Sequence, residues 1–183
     1  MKIGFSNIVV HIAQYARDEA MRTGWYGIGP DHLTLAILRQ ADNRACEALE
    51  ALGLDPGALK KFIDGRIFRE EAVPYNRMDE VKATKALRSV MNMAAFEALR
   101  LNLEEVCPEH LLLALSRTSG NATADCFRLK GITPETLYGF FGAHTRDTAA
   151  QTPPPRLEDI AGALGEQISN LYGATCHKTN IYS

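Results

Sequence analysis

The sequence predicts an all-α fold in which two related four-helix units form one compact domain. The first observation is a repeated motif, because PDHLTLAIL at residues 30–38 recurs as PEHLLLALS at residues 108–116. The second is that apolar residues recur three and four positions apart, which is typical of helices with one buried face. The third is that no segment shows the period-two alternation of half-buried strands.

The repeat extends well beyond the motif. The two motif histidines are 78 residues apart, and moving the sequence by that distance without a gap aligns identical residues along both units. Similar apolar residues also align where a buried helix face is expected, so the duplication preserves a fold and not only a motif. Examples of the identical pairs are Ala16 and Ala94, Glu19 and Glu97, Arg22 and Arg100, His32 and His110, Gly53 and Gly131, and Phe62 and Phe140.

The first helix of the first unit is predicted from its apolar spacing and its end signals. Ser6 or Asn7 can cap its first turn, and the chain leaves the helix near Thr23. Small residues on the buried face allow close approach of another helix. That face is formed by Val9, Ala13, Ala16 and Ala20.

The other three helices follow from proline and glycine positions. Pro30 suits the first position of the second helix, because its missing N–H would have no partner there. The third helix is predicted over residues 43–52 and ends at Gly53, a residue that readily adopts the left-handed conformation. Pro56 then begins the fourth helix, and the second unit repeats this order.

The chain is divided by composition into five segments. We predict a first unit over residues 1–68, a connecting loop over 69–81 and a second unit over 82–142. A proline-rich spacer is expected over 143–156, followed by a possible short helix and flexible tail over 157–183. That helix could dock on the bundle or be offered to a partner through the apolar residues Leu157, Ile160, Leu164, Ile168 and Leu171.

Charge and cysteine content exclude several classes of partner. The 20 basic and 22 acidic residues are scattered and give a net charge of −2, which argues against nucleic acid and membrane partners. No apolar run has the length of a membrane span. The four cysteines lie far apart without a C-x-x-C pair, which favours free thiols and a cytoplasmic location.

Three features occur twice in the same order: an alanine-faced helix, the motif P-[DE]-H-L-x-L-A and the motif G-[LI]-[DT]-P. This doubled order resembles the Clp N-terminal (Clp repeat) domain of bacterial Clp AAA+ unfoldases. The resemblance covers about residues 5–142. It implies an all-α domain of two pseudo-twofold-related four-helix units, in which each unit covers the apolar face of the other.

The resemblance implies a function in an ATP-dependent Clp protease-chaperone system. The G-x-x-x-x-G-K-[ST] loop of an ATPase is absent, so we expect a stand-alone, non-enzymatic module that binds proteins and recruits or regulates substrates or adaptors. Its expected partners are Clp unfoldase or protease subunits, adaptor proteins and unfolded substrate segments. An accessory subunit that stabilises or caps a Clp protease ring is the alternative. No cofactor is expected.

Asp31 and Glu109 are the first candidates for protein or peptide binding. The resemblance implies that the acid of this motif holds the guanidinium of an arginine-phosphorylated substrate. Pro30 and Pro108 stand where the family has threonine, which removes a hydroxyl and an amide donor from each site. The alternative is that both acids complement the helix dipole as first-turn residues.

The remaining candidates are aromatic or nucleophilic. Trp25 and Tyr26 lie in a predicted loop, where they could anchor a partner or pack against the connecting loop or the tail. Cys107 and His110 share one helical turn and allow a third function, a thiol enzyme or a metal site. Because no further ligand spacing accompanies them, His32 and His110 are interpreted as structural, and no catalytic or metal residue is predicted.

Overall fold

The computed structural model describes residues 3–142 and 157–173, and within the last range the side chains of residues 164–172. Its fold is all-α, as predicted. The first unit contains β1 Gly4–Phe5, α1 Asn7–Arg22, β2 Gly27–Ile28, α2 Pro30–Gln40, α3 Arg44–Ala51 and α4 Pro56–Ile67. The second contains β3 Lys82–Ala83, α5 Lys85–Arg100, β4 Glu105–Val106, α6 Pro108–Arg117, α7 Ala122–Lys130 and α8 Pro134–Gly142. A final helix, α9, spans Leu157–Gly173.

The strand pairing shows how the two units are related. β1 pairs in parallel with β4, with Phe5 opposite Val106, and β2 pairs in parallel with β3, with Ile28 opposite Ala83. A shift of 78 residues turns β1 into β3 and β2 into β4, so it exchanges one ladder for the other. Such an exchange is the mark of an approximate twofold axis. The sequence did not predict these strands, because two residues are too few to show a period of two.

The core runs through both units without interruption. Ala16 and Ala20 on α1 and their counterparts Ala94 and Ala98 on α5 are fully buried, where their small side chains let neighbouring helices approach. The leucine-rich helices α2 and α6 pack against α1 and α5 in turn. Burial of this apolar surface is the main stabilising contribution to the fold.

Two buried asparagines stabilise equivalent turns of the two units, between the second and third helices of each. Asn43 caps α3 by accepting a hydrogen bond from the Cys46 N–H at 3.0 Å, and its amide donates to the Ile37 carbonyl at 3.0 Å. Asn121 caps α7 in the same manner and donates to Leu115 at 3.2 Å. Each side chain therefore satisfies backbone groups of two helices at once, which fixes the turn between them.

A buried carboxylate links the first two helices of each unit. Glu97 on α5 is fully buried and forms ion pairs with Arg100 on the same helix and with Arg117 at the end of α6. Glu19 on α1 forms the equivalent cluster in the first unit. A charge buried this deeply is tolerated only because its cations accompany it.

The connecting segment after α4 follows the first unit closely and contains a 3-10 helix at Tyr75–Glu80, which the predicted loop did not include. Backbone bonds join it to the end of α1, with the Val73 N–H donating to Met21 at 2.9 Å. Gly24 permits this approach, since its φ is +86° and a Cβ there would lie 2.4 Å from the Glu71 carbonyl oxygen.

Helix α9 returns to the bundle and packs against α5 and α1. Docking was one of the two alternatives that the sequence left open. The spacer at 143–156 and the tail after residue 173 lie outside the described residues. Within the described ranges, no helix combines the length and apolar character that a membrane span requires.

Candidate functional site

The motif histidines stabilise the first turns of α2 and α6, because each side chain accepts a hydrogen bond from the backbone N–H of the residue before its helix. His32 Nδ1 accepts the Gly29 N–H at 2.9 Å, and His110 Nδ1 accepts the Cys107 N–H at 2.8 Å. Both rings are buried, and burial lowers the pKa of each to about 4, with the charge of a nearby arginine adding to the effect. The rings are therefore neutral at pH 7, and Nε2 carries the proton.

The two rings differ at Nε2. In the first unit, Thr23 Oγ1 lies 3.1 Å from His32 Nε2. Leu101 occupies the corresponding position in the second unit, and the buried Nε2 of His110 has no hydrogen-bond partner among the described residues. The two units thus share the histidine, but only the first has a threonine at the position that contacts its second nitrogen.

Leu101→Thr is expected to raise the free energy of unfolding by about 1 kcal/mol, because it gives the buried His110 N–H an acceptor. Urea denaturation followed by circular dichroism measures the change. Leu101→Val is the matched control, since valine has the shape of threonine without its hydroxyl. Equal stabilities of the two variants would contradict the prediction.

Asp31 and Glu109 connect the two units. Asp31 Oδ1 accepts the Ala122 N–H at the start of α7 at 2.7 Å, and Glu109 Oε1 lies 3.3 Å from Nη1 of Arg44 at the start of α3. Positions 44 and 122 correspond in the repeat, so each acid contacts the third helix of the opposite unit. Burial raises the pKa of Asp31, and the bond from Ala122 partly offsets this rise.

A further ion pair extends this inter-unit seam, which comprises Asp31, Glu109 and their partners. Arg66 near the end of α4 lies 2.7 Å from Asp125 on α7. Its positive charge also acts on Asp31. Asp31 thus binds a backbone N–H of the other unit and Glu109 binds an arginine of the other unit, so both motif acids have structural contacts in the seam.

The two loop aromatics lie beside the connecting segment. The Trp25 indole donates to the Ile67 carbonyl at 2.7 Å, and the Arg69 guanidinium lies 3.5 Å from the ring centroid. Tyr26 is 37% exposed and has the Arg77 guanidinium 4.8 Å from its ring centroid. Trp25 therefore anchors the segment to the first unit, while Tyr26 keeps an accessible face.

Cys107 and His110 are neighbours but do not form an activated pair. His110 Nδ1 faces the Cys107 backbone N–H, so the contact does not involve the thiol. Burial and the nearby acids Glu109 and Glu105 raise the pKa of Cys107 to about 11, which keeps the sulfur protonated at pH 7. Among the residues that the structure describes, no group of three or more His, Cys, Asp and Glu could hold a metal ion.

Beyond the seam, two surface features of the described residues bear on binding. One is an open depression of about 440 Å³ between the end of α6, α7 and the start of α8, lined by residues such as Arg117, Phe127 and Ile132. The other is the face of α1 and α5 that α9 covers, the α1–α5 face. The sequence had indicated Leu164, Ile168 and Leu171 as contacts to this face; the first two are buried and Leu171 is partly buried against the core. It missed Tyr172, which is also buried. The side chains of the predicted Leu157 and Ile160 lie outside the described residues.

These features define a class of protein: a duplicated, all-α module in which the acids of the repeated motif bind the third helix of the opposite unit across a pseudo-twofold seam. The chain belongs to the Clp repeat (R) N-terminal domain family, whose model matches residues 5–129. This confirms the resemblance of the doubled histidine motif. The seam lies inside the matched region, and so do the paired strand residues with the exception of Gly4.

Curated relatives include large Clp proteins. The chain is 27% identical over 128 residues to the negative regulator of genetic competence ClpC/MecB of Bacillus subtilis, covering 70% of this chain and 15% of that protein. It is 28% identical over 158 residues to the chaperone protein ClpB of Corynebacterium diphtheriae, covering 86% of this chain and 18% of that protein. The chain thus spans less than a fifth of the length of these relatives.

Solved structures share the fold. The N-terminal domain of Hsp104 from Candida albicans superposes with a TM-score of 0.60 at 16% identity, covering 74% of this chain and 87% of that chain. A chain described under preliminary structural investigations of a malarial protein secretion system gives a TM-score of 0.65 at 20% identity, covering 79% and 96%.

Proposed function

We propose that the chain is a non-enzymatic protein-binding module that recruits or regulates substrates or adaptors of an ATP-dependent Clp chaperone-protease system. The observation that carries this proposal is the family match over residues 5–129, with relatives that include ClpC/MecB, named as a regulator of competence, and ClpB, named as a chaperone protein. The free, separated thiols of the described residues Cys46, Cys107 and Cys126 support a cytoplasmic location for it.

The contacts of the candidate residues suggest different roles in binding. Asp31 and Glu109 are engaged in the seam, so their proposed contribution is to hold the two units in the binding-competent arrangement. Trp25 supports its loop through Ile67, and Tyr26 with its exposed face is the candidate for direct contact. Aromatic residues of this kind often dominate binding energy.

Capture of Clp proteins by the full chain tests the function. The tagged chain is incubated with lysate of its own host, with and without an unfolded client such as reduced, carboxymethylated α-lactalbumin, and bound Clp subunits and adaptors are quantified by mass spectrometry. We expect client-dependent recovery of these proteins. Recovery of no Clp subunit, adaptor or client would contradict the proposal. Fixed, client-independent association with a peptidase ring would support an accessory subunit instead.

Tyr26→Ala is expected to weaken capture by about tenfold, because it removes an exposed aromatic contact without opening the core. Tyr75→Ala is the matched control, since Tyr75 is also an exposed tyrosine of the first half of the chain, at 77% exposure. Equal losses in the two variants would exclude a specific contact at Tyr26.

A further inference from the structure

Helix α9 lies across the first helices of both units as an amphipathic segment. Leu164, Ile168 and Tyr172 recur every four residues and are 0%, 1% and 6% exposed, whereas Glu166 and Asn170 face solvent. Contacts with α5 predominate over those with α1, although these two helices are equivalent in the repeat. The face thus consists of two equivalent helices, one from each unit, and the single helix α9 covers it unequally.

The polar contacts that the described side chains of residues 164–172 make with the bundle are partly buried or exposed. Gln167 donates to the Ile3 carbonyl at 2.8 Å, and the Arg88 guanidinium lies 3.4 Å from the Ser169 hydroxyl. The Tyr172 hydroxyl is buried and has no hydrogen-bond partner among the described residues. A buried polar group without a partner destabilises the docked state. Apolar contacts therefore stabilise the docking of α9, and the desolvation of the Tyr172 hydroxyl opposes it.

Attachment to the same chain compensates for the imperfect fit. Residues 143–156 connect α8 to α9, so α9 meets the α1–α5 face at an effective concentration on the order of millimolar. A modest intrinsic affinity is then enough to keep the face occupied. A helix from another protein must compete with α9 for the same apolar surface.

We propose that α9 is an intramolecular competitor, and that the α1–α5 face binds an amphipathic helix of a substrate or adaptor, apolar at every fourth position, when α9 leaves. We expect this partner helix to resemble α9, with two aliphatic residues and one aromatic residue in series on one face and polar residues on the other. The inference rests on the proposed function for the source of the partner, and adds its regulation.

Binding of a fluorescein-labelled synthetic peptide of residues 157–173 to the full chain tests the proposal by fluorescence anisotropy. Leu164→Asp with Ile168→Asp places two charges in the buried face of α9 and should release it. We expect the peptide to bind this double variant at least about tenfold more tightly than the wild type, because the tethered competitor is gone. Glu166→Gln with Asn170→Asp, on the exposed face of α9, is the matched control and should bind as the wild type does.

Tyr172→Phe tests the same competition in the opposite direction and leaves the apolar contact in place. Removing the buried hydroxyl should tighten the docking of α9, so the peptide is expected to bind about threefold to tenfold more weakly than to the wild type. This variant keeps the test decisive even where the double aspartate variant does not fold.

Equal peptide affinity in wild type and double aspartate variant would overturn the proposal, and so would unchanged or tighter binding by Tyr172→Phe. The proposed function is assessed separately by Clp capture. If capture succeeds while the peptide does not distinguish the variants, the competitor role of α9 is wrong and the Clp function stands. If the peptide distinguishes them while capture fails, the competition stands and its Clp partner is wrong.

Discussion

Lowering the pH from 7 to 4 is expected to reduce the free energy of unfolding by about 3 kcal/mol for each of His32 and His110, because each pKa falls from an unfolded value near 6.5 to about 4 in the folded protein. Between these values the unfolded imidazole binds a proton that the buried ring does not. Stability from the neutral rings is therefore fully present above pH 6.5 and is lost as the pH falls to 4.

Urea denaturation at half-unit pH intervals, followed by circular dichroism, measures this slope. His110→Gln should remove about half of the histidine contribution between pH 6.5 and 4, because one of the two buried imidazoles is gone. His11→Gln is the matched control, since His11 is exposed on α1. A slope in His110→Gln that equals the slope of the wild type would show that the buried ring does not control acid stability.

Glu97→Ala is expected to lower the free energy of unfolding by about 3 kcal/mol, because it leaves the cations of the cluster at α5 and α6 without their buried carboxylate. Arg117 is the more affected cation, as its side chain is only 25% exposed. Its other acid, Glu135, lies 3.8 Å away and is itself 76% exposed, so it cannot replace the buried partner.

The repeat provides the matched comparison for this prediction. Glu19→Ala should destabilise the protein less, because Arg22 keeps Asp64 at 2.7 Å and Arg39 keeps Asp18 at 3.6 Å. Glu97→Gln, which conserves the shape of the side chain, separates the loss of charge from the loss of packing. Chemical denaturation of the three variants checks the order, and a smaller effect at position 97 than at position 19 would contradict it.

The end signals of the helices were predictable from the sequence because they act over a few residues. Ser6, Asn43 and Asp55 cap α1, α3 and α4, and each accepts a backbone N–H three residues later in the chain. Pro30 begins α2 as its ring geometry requires. The repeat then transfers the same scheme to the second unit, so one set of local rules described both.

The candidate site was predictable only in part. The sequence singled out Asp31 but not its partner. The backbone N–H that Asp31 binds belongs to Ala122, 91 residues away in the chain, and a pattern of local spacing cannot predict a contact over that separation. Likewise, the sequence singled out Trp25 and Tyr26 as loop aromatics that could anchor a partner or pack against the connecting loop or the tail. It did not indicate that the end of α4 lies beside this loop, where the Ile67 carbonyl accepts the Trp25 indole N–H.

By itself, the sequence determined the class of fold, the doubled helical order and the family, because helix periodicity and capping are encoded within three or four residues and the duplication is visible as an offset. Only the tertiary structure decided which groups meet across the seam, that His110 Nε2 has no hydrogen-bond partner among the described residues, and that Tyr172 of α9 is buried. The physical reason is that these contacts arise from the packing of helices far apart in the chain, and packing selects partners by shape and distance.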